Sequence, residues 1–147
     1  MPIKTFRGML LDGDVETIPL HTNDGKVGYR IKKFTVMPNR EIDDLGAIVK
    51  IYSVNQTQAT ESFDFDDQTL LAAALYRQDS GNNWNFAKNI FFDNMTFNQD
   101  IYVTYKDDET AGKFINYYIE LEQVKLDLNE NTVATLKDIR NILASRQ

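Results

Sequence analysis

Apolar and polar residues alternate with a period of two along much of the chain, most clearly from Phe114 to Leu126. There Ile115, Tyr117, Ile119 and Leu121 alternate with Asn116, Tyr118, Glu120 and Glu122, the pattern of a strand with one buried and one wet face. The phase changes after Leu121, where Gln123 is followed by Val124 and Leu126, and this predicts a bulge or twist near Gln123. Ile101, Val103 and Tyr105 repeat the alternation just upstream. The stretch between them, Lys106-Asp107-Asp108-Glu109-Thr110-Ala111-Gly112, is acidic and ends in glycine, so it reads as a hairpin loop joining an antiparallel pair. Val27, Tyr29 and Ile31 form another alternating run, until the phase flips to Phe34 and Val36 and predicts a bend. Before it stands Asn23-Asp24-Gly25, whose Asp-Gly step suits the positive φ angles of a tight turn, and a second hairpin with Val15 to Leu20 is expected.

Further strands are expected at Ile3 to Leu11, Ala47 to Val54, Thr69 to Arg77 and Phe86 to Phe92, with a short one at Met95 to Asn98. Leu70 to Leu75 contains three consecutive alanines and has helical propensity. Its shortness, between Asp66-Asp67 and Asp79-Ser80-Gly81, fits a buried strand better. The period changes at the end. From Asn129 to Gln147, Val133, Leu136, Ile139 and Leu143 recur at intervals of three and four, one stripe along an amphipathic helix. Asn129 or Asn131 can cap it, Leu128 can staple its start, and Lys137, Arg140 and Arg146 lie toward its C-terminal end, as the helix dipole prefers. The pattern predicts an all-β chain: an antiparallel β-sandwich or jelly-roll-like barrel of about eight strands, closed by one C-terminal amphipathic helix over about 130–145. Residues 1–147 read as a single domain, because the polar stretches Pro38 to Leu45 and Asn55 to Asp67 are too short for domain linkers.

Composition narrows the function classes. With 147 residues, 42% hydrophobic and 26% charged, the chain can bury a core without disulfides or metal. The absence of cysteine removes thiolate metal sites and cysteine nucleophiles. Sixteen Lys plus Arg against 22 Asp plus Glu, a net charge of −6, disfavour nucleic acid as a partner. Only Arg30, Lys32 and Lys33 cluster, where a phosphate-tracking surface needs a stripe. No apolar run approaches the roughly 18 residues of a membrane span, and Met1-Pro2-Ile3-Lys4 lacks the apolar core of a secretory signal. Synthesis in a cytoplasm, with no membrane partner, is the expectation. Asn55-Gln56-Thr57 and Asn94-Met95-Thr96 match a glycosylation sequon but without a signal peptide read as chance matches.

No catalytic set stands out. His21 is the sole histidine and sits beside a turn signal, and none of Ser53, Ser62, Ser80 and Ser145 lies in a Gly-x-Ser-x-Gly elbow. No phosphate loop is present among the seven glycines. Asp64-Phe65-Asp66-Asp67 and Asp107-Asp108-Glu109 could offer hard oxygen ligands to calcium, yet neither has the spacing of a calcium loop; solvated turns are the simpler reading. No enzyme, cofactor or metal site is expected. Asn82-Asn83-Trp84-Asn85-Phe86 is the remaining candidate, since it sets the sole tryptophan beside three amides. Trp84 suits core or edge packing, a protein interface, or a sugar platform. The pair Phe91-Phe92 points to both faces of a strand, so one ring needs cover from another element or from a partner. Trp84, Phe86, Phe91 and Phe92, with Val133, Leu136, Ile139 and Leu143 of the helix stripe, are the candidate interface residues.

Two segments carry a resemblance. Ile18-Pro19-Leu20-His21-Thr22-Asn23-Asp24-Gly25-Lys26-Val27-Gly28-Tyr29-Arg30-Ile31-Lys32-Lys33-Phe34 is the first. The second is Asn116-Tyr117-Tyr118-Ile119-Glu120-Leu121-Glu122-Gln123-Val124-Lys125-Leu126, continuing to Ala134-Thr135-Leu136-Lys137-Asp138-Ile139-Arg140-Asn141. Together they resemble small virion structural proteins of tailed bacteriophages, particularly marine ones. The resemblance covers about a third of the chain and carries no catalytic or binding motif. It implies a capsid-associated, head-tail or tail component, present in many symmetric copies and localised to the virion. Its partners would be itself or other virion proteins. A carbohydrate-binding β-sandwich module built around Trp84 is the alternative expectation.

Overall fold

The computed structural model describes residues 2–20, 26–40, 44–79, 81, 84–108 and 112–126. These hold eight strands: β1 (Ile3–Leu11), β2 (Val15–Ile18), β3 (Val27–Pro38), β4 (Leu45–Tyr52), β5 (Leu70–Asp79), β6 (Trp84–Phe91), β7 (Ile101–Asp107) and β8 (Phe114–Lys125). They form two antiparallel sheets, a three-stranded one in the order β1-β8-β3 and a five-stranded one in the order β2-β7-β4-β5-β6. Their inner faces share one core. Tyr29, Ile31, Phe34, Ile115, Tyr117, Ile119 and Leu121 enter it from the smaller sheet, and Ala47, Val49, Ile51, Ala72, Ala74, Val103 and Tyr105 from the larger. Alternation of side chains across each pleat puts every second residue inward, and β3 runs across β5 and β6.

Most of the expected strands form, including Leu70 to Leu75, where β pairing on both sides overrides the helical propensity of the alanines. The expected hairpins do not. β7 pairs with β2 and β4, whereas β8 pairs with β1 and β3 in the other sheet. β2 and β3 are likewise in different sheets. A turn signal marks a reversal of the chain and not the plane of that reversal. Here the connections 12–14, 19–26, 39–44 and 108–113 carry the chain from one sheet to the other. Gly13 and Gly112, at φ of 94° and 84°, supply the left-handed backbone for two of these crossings. The sequential hairpins among the described residues are β4-β5 and β5-β6.

The expected bulge at Gln123 is also corrected. The register shift lies on β3 between Ile31 and Lys33, opposite Leu121 and Glu120, while β8 pairs without interruption from Ile115 to Lys125. The extra residue, Lys32, turns the apolar side of β3 from Tyr29 and Ile31 to Phe34, which is the phase flip legible in the sequence. Within 95–98 there is only an isolated bridge, Phe97 to Tyr29. The expected helix at 130–145 lies outside the described residues.

A polar bond ties the two sheets together through the core. The Tyr117 hydroxyl of β8 donates to Glu16 Oε1 of β2 at 2.7 Å. Burial raises the Tyr117 pKa and the Glu16 carboxylate raises it further, so the hydroxyl stays a donor. Its ring lies against Gly8, where a Cβ would fall 2.9 Å from ring atoms; any larger residue there displaces the ring.

Candidate interaction surface

The outer face of the five-stranded sheet is where charge and exposed apolar surface meet. Strand pairing sets Lys50, Ala73 and Ile90 in one row, Ile48, Leu75 and Lys88 in the next, and Arg77 with Phe86 and Asp79 with Trp84 beyond. Over its β4 part the segment 53–69 folds back as a cover. Ser53 N–H donates to the Thr69 carbonyl at its base. Asp64 and Asp67 accept hydrogen bonds from Asp66 N–H and Thr69 N–H, forming tight polar turns.

Lys50 lies beneath this cover and is only 1% exposed. Its ammonium donates to Thr60 Oγ1 at 2.7 Å and to the Ser62 carbonyl at 2.5 Å, and it lies 5.6 Å from the Tyr52 ring centre and 6.0 Å from that of Phe63. Burial lowers its pKa below the ordinary 10.5, and the Asp67 charge opposes that shift. Neighbouring Tyr52 is pushed up to about 12, by burial first and by Asp67 second. A perturbed buried amine marks functional sites in many proteins. Here both strong acceptors belong to the cover itself, and Lys50 acts as the latch that holds 53–69 on the sheet. The sequence contained a signal for it: one lysine inside the otherwise apolar run Leu45-Gly46-Ala47-Ile48-Val49-Lys50-Ile51-Tyr52.

Beside the latch the surface opens into an apolar hollow of about 390 Å³. Ala73 and Leu75 form its floor, Phe63 and Phe65 rise from the cover, and Lys88 and Ile90 come from β6. Phe65 meets Phe92 edge to face at 5.4 Å between ring centres. In the sequence Phe65 stands only as one ring between aspartates, with no signal of this role. The four candidate residues of the Trp84 region therefore separate. Trp84 and Phe86 stand on the outer face and are 48% and 45% exposed, which overturns core packing for Trp84. Phe91 pairs with Ala72 and packs on the core. Phe92 follows the strand and is covered by Phe65, which supplies the cover that the Phe91-Phe92 pair required. Val133, Leu136, Ile139 and Leu143 lie outside the described residues.

The acidic loops have local structural work. Asp107 Oδ1 accepts from Gly46 N–H at 3.3 Å and its Oδ2 from the Tyr105 hydroxyl at 3.0 Å, and Asp108 pairs with Arg77. Among the described residues no three acidic or histidine side chains form a group that could hold a metal ion, and His21 and Glu109 lie outside them. No helix among the described residues is long and apolar enough to cross a membrane.

The outer face of the smaller sheet differs in kind. A shallow depression of about 660 Å³ there is lined by Arg7, Met9, Thr35, Met37, Asn116 and Tyr118, among others. Glu122 accepts ion pairs from Arg30 at 3.6 Å and Lys32 at 3.8 Å. Mixed polarity and water-screened charge make this a solvated face with single apolar residues on it. Compared with models of known protein families and with curated protein sequences, the chain matches none.

Proposed function

We propose that this chain is a non-enzymatic assembly protein of a phage virion that acts through protein–protein contacts. The observation that carries the reading is β6, an edge strand whose outer face presents Trp84, Phe86 and Ile90 to solvent next to the apolar hollow. An exposed edge of this kind is an invitation to pair with another chain, and monomeric proteins usually blunt it. The strand order supports a jelly-roll reading in seven of the eight strands: β1-β8-β3 and β2-β7-β4-β5 follow the order of two nested Greek keys, whereas β6 pairs with β5 where a jelly roll would set it beside β3. The resemblance of 18–34 and 116–141 to virion proteins of tailed phages agrees with it. In this reading the helix proposed at about 130–145 offers Val133, Leu136, Ile139 and Leu143 as a second contact.

The test is electron microscopy and protein composition of purified particles made without this protein. Loss of a defined density or of particle integrity is expected, and unchanged morphology and composition would sink the proposal. A second reading, a carbohydrate-binding module, is favoured by one observation: Trp84 and Phe86 stand next to each other on a sheet face, as a stacking platform requires. A glycan array separates the two. Wild-type signal abolished in Trp84→Ala supports sugar binding, and silence of the wild type removes it.

A further inference from the structure

We propose that β6 pairs with β6 of a second copy, antiparallel about a two-fold axis at Ala87, and so continues the five-stranded sheet across the dimer. This deepens the assembly reading and rests on it.

Three features of β6 point to a strand built to be paired. Among the described residues it has a ladder on one side only, with β5. That ladder runs from Ala72 and Phe91 to Asp79 and Trp84 without a register shift, so no bulge twists the free edge away. The strand contains no proline and one charge, Lys88. It therefore has a single one of the devices that keep natural edges apart.

One antiparallel register makes the sequence of β6 self-complementary all the way from Trp84 to Ile90. With the axis at Ala87, Trp84 of one copy faces Ile90 of the other and Phe86 faces Lys88, twice each by symmetry. An apolar pair and a cation over an aromatic ring result on the outer face. On the other face Asn89 donates its amide to the Phe34 carbonyl of β3 in its own copy, which leaves its Oδ1 to accept from Asn85 of the partner copy, and the small Ala87 meets itself on the axis. An axis at Lys88 would oppose two lysines. An axis at Phe86 would carry Ile90 past the end of the partner strand. Symmetry makes each of these pairs isologous, as a closed dimer requires. A second copy is thus the occupant whose chemistry fits the edge: its only charge falls on a ring and never on its own image.

The chain has no cysteine, so one engineered thiol reports the register. Residues opposite each other across an antiparallel ladder have Cα atoms about 4.5–5.5 Å apart, within the range of a disulfide. In Ala87→Cys, mild oxidation is expected to give a covalent dimer, while Thr5→Cys on the other sheet stays monomeric. Phe86→Lys opposes lysine to Lys88 twice and is expected to weaken the dimer at least tenfold by light scattering. Phe86→Lys with Lys88→Glu restores opposite charges at both pairs and is expected to restore the dimer. Since Phe86 and Lys88 are exposed, circular dichroism of these variants should match the wild type. An oligomeric wild type whose Ala87→Cys form does not cross-link overturns this pairing and leaves the assembly reading standing. A wild type that stays monomeric at high concentration also overturns the pairing, and particle composition then judges the assembly reading separately.

Discussion

Strands β4 and β6 are both eight residues long, lie two places apart in one sheet, and each carry one lysine on the outer face. Their fates are opposite. Every residue of β4 is buried, whereas every residue of β6 except Phe91 is exposed. β4 has β7 on one side, β5 on the other, the core beneath and the 53–69 segment above. Among the described residues β6 has a single ladder partner, β3 reached by its Asn89 amide on the inner face, and aromatic neighbours that flank its outer face without covering it. Hydrophobic content does not separate the strands as sharply as their burial does. Position in the sheet makes the difference, since a central strand is enclosed by its neighbours and an edge strand must find cover elsewhere.

The lysines give the largest expected contrast. Lys50→Glu would bury a carboxylate against the Ser62 carbonyl and near Asp67, and is expected to cost about 3–5 kcal/mol, as for an uncompensated buried charge. Lys88→Glu should stay within about 0.5 kcal/mol, as exposed substitutions do. Urea unfolding of both variants at low protein concentration measures the pair, and equal effects would mean that 53–69 does not seal Lys50. Next in size, Ile51→Ala on the core face is expected to cost about 2–5 kcal/mol through lost burial and a cavity. Ile90→Ala on the same sheet, already 42% exposed, should cost a fraction of that in the same assay.

A pH series sharpens the comparison further. The folded-state pKa of Lys50 is lowered, so below it the ionised amine opposes folding, and its contribution becomes more favourable as pH rises toward 10.5. Stability of the wild type relative to Lys50→Met should therefore rise across that window, with no matching slope for Lys88→Met. Tyr52 has the opposite sign. Its raised pKa adds stability that is present below about pH 10 and is lost as pH rises through about 12, and Tyr52→Phe should remove that loss. The smallest expected signal is in hydrogen exchange: β4 amides should exchange only through global unfolding and β6 amides faster. Protection of β6 that grows with protein concentration would reveal its pairing partner.

How much of this was legible beforehand follows from which forces act locally. Period-two alternation located the strands, because inward and outward side chains on a pleat are a local property. The phase flip from Ile31 to Phe34 predicts a bend for the same reason, and the structure realises it as a bulge on β3. The bulge expected at Gln123 is absent, because β8 keeps its ladder with β3 there without losing a residue. Among candidate contacts, Trp84 and Phe86 were recognisable as unusual, but their separation from Phe91 and Phe92 needed the pairing of β5 with β6. Lys50 and the hollow walls Phe63 and Phe65 were invisible as a unit, since the 53–69 segment had to fold back over the strand.

The amino-acid sequence by itself determined the class of this protein: short strand segments with turn chemistry between them. Local sterics and the pleat are sufficient for that much. Tertiary structure alone decided which strands are partners. Four turns that read as reversals within a sheet or as plain loops carry the chain between sheets, because the apolar faces of β1, β3 and β8 must close over those of β2, β4, β5 and β7 to leave water. That closure puts β4 at the centre and β6 at the edge. It turns one lysine into a buried latch and leaves an aromatic strand exposed.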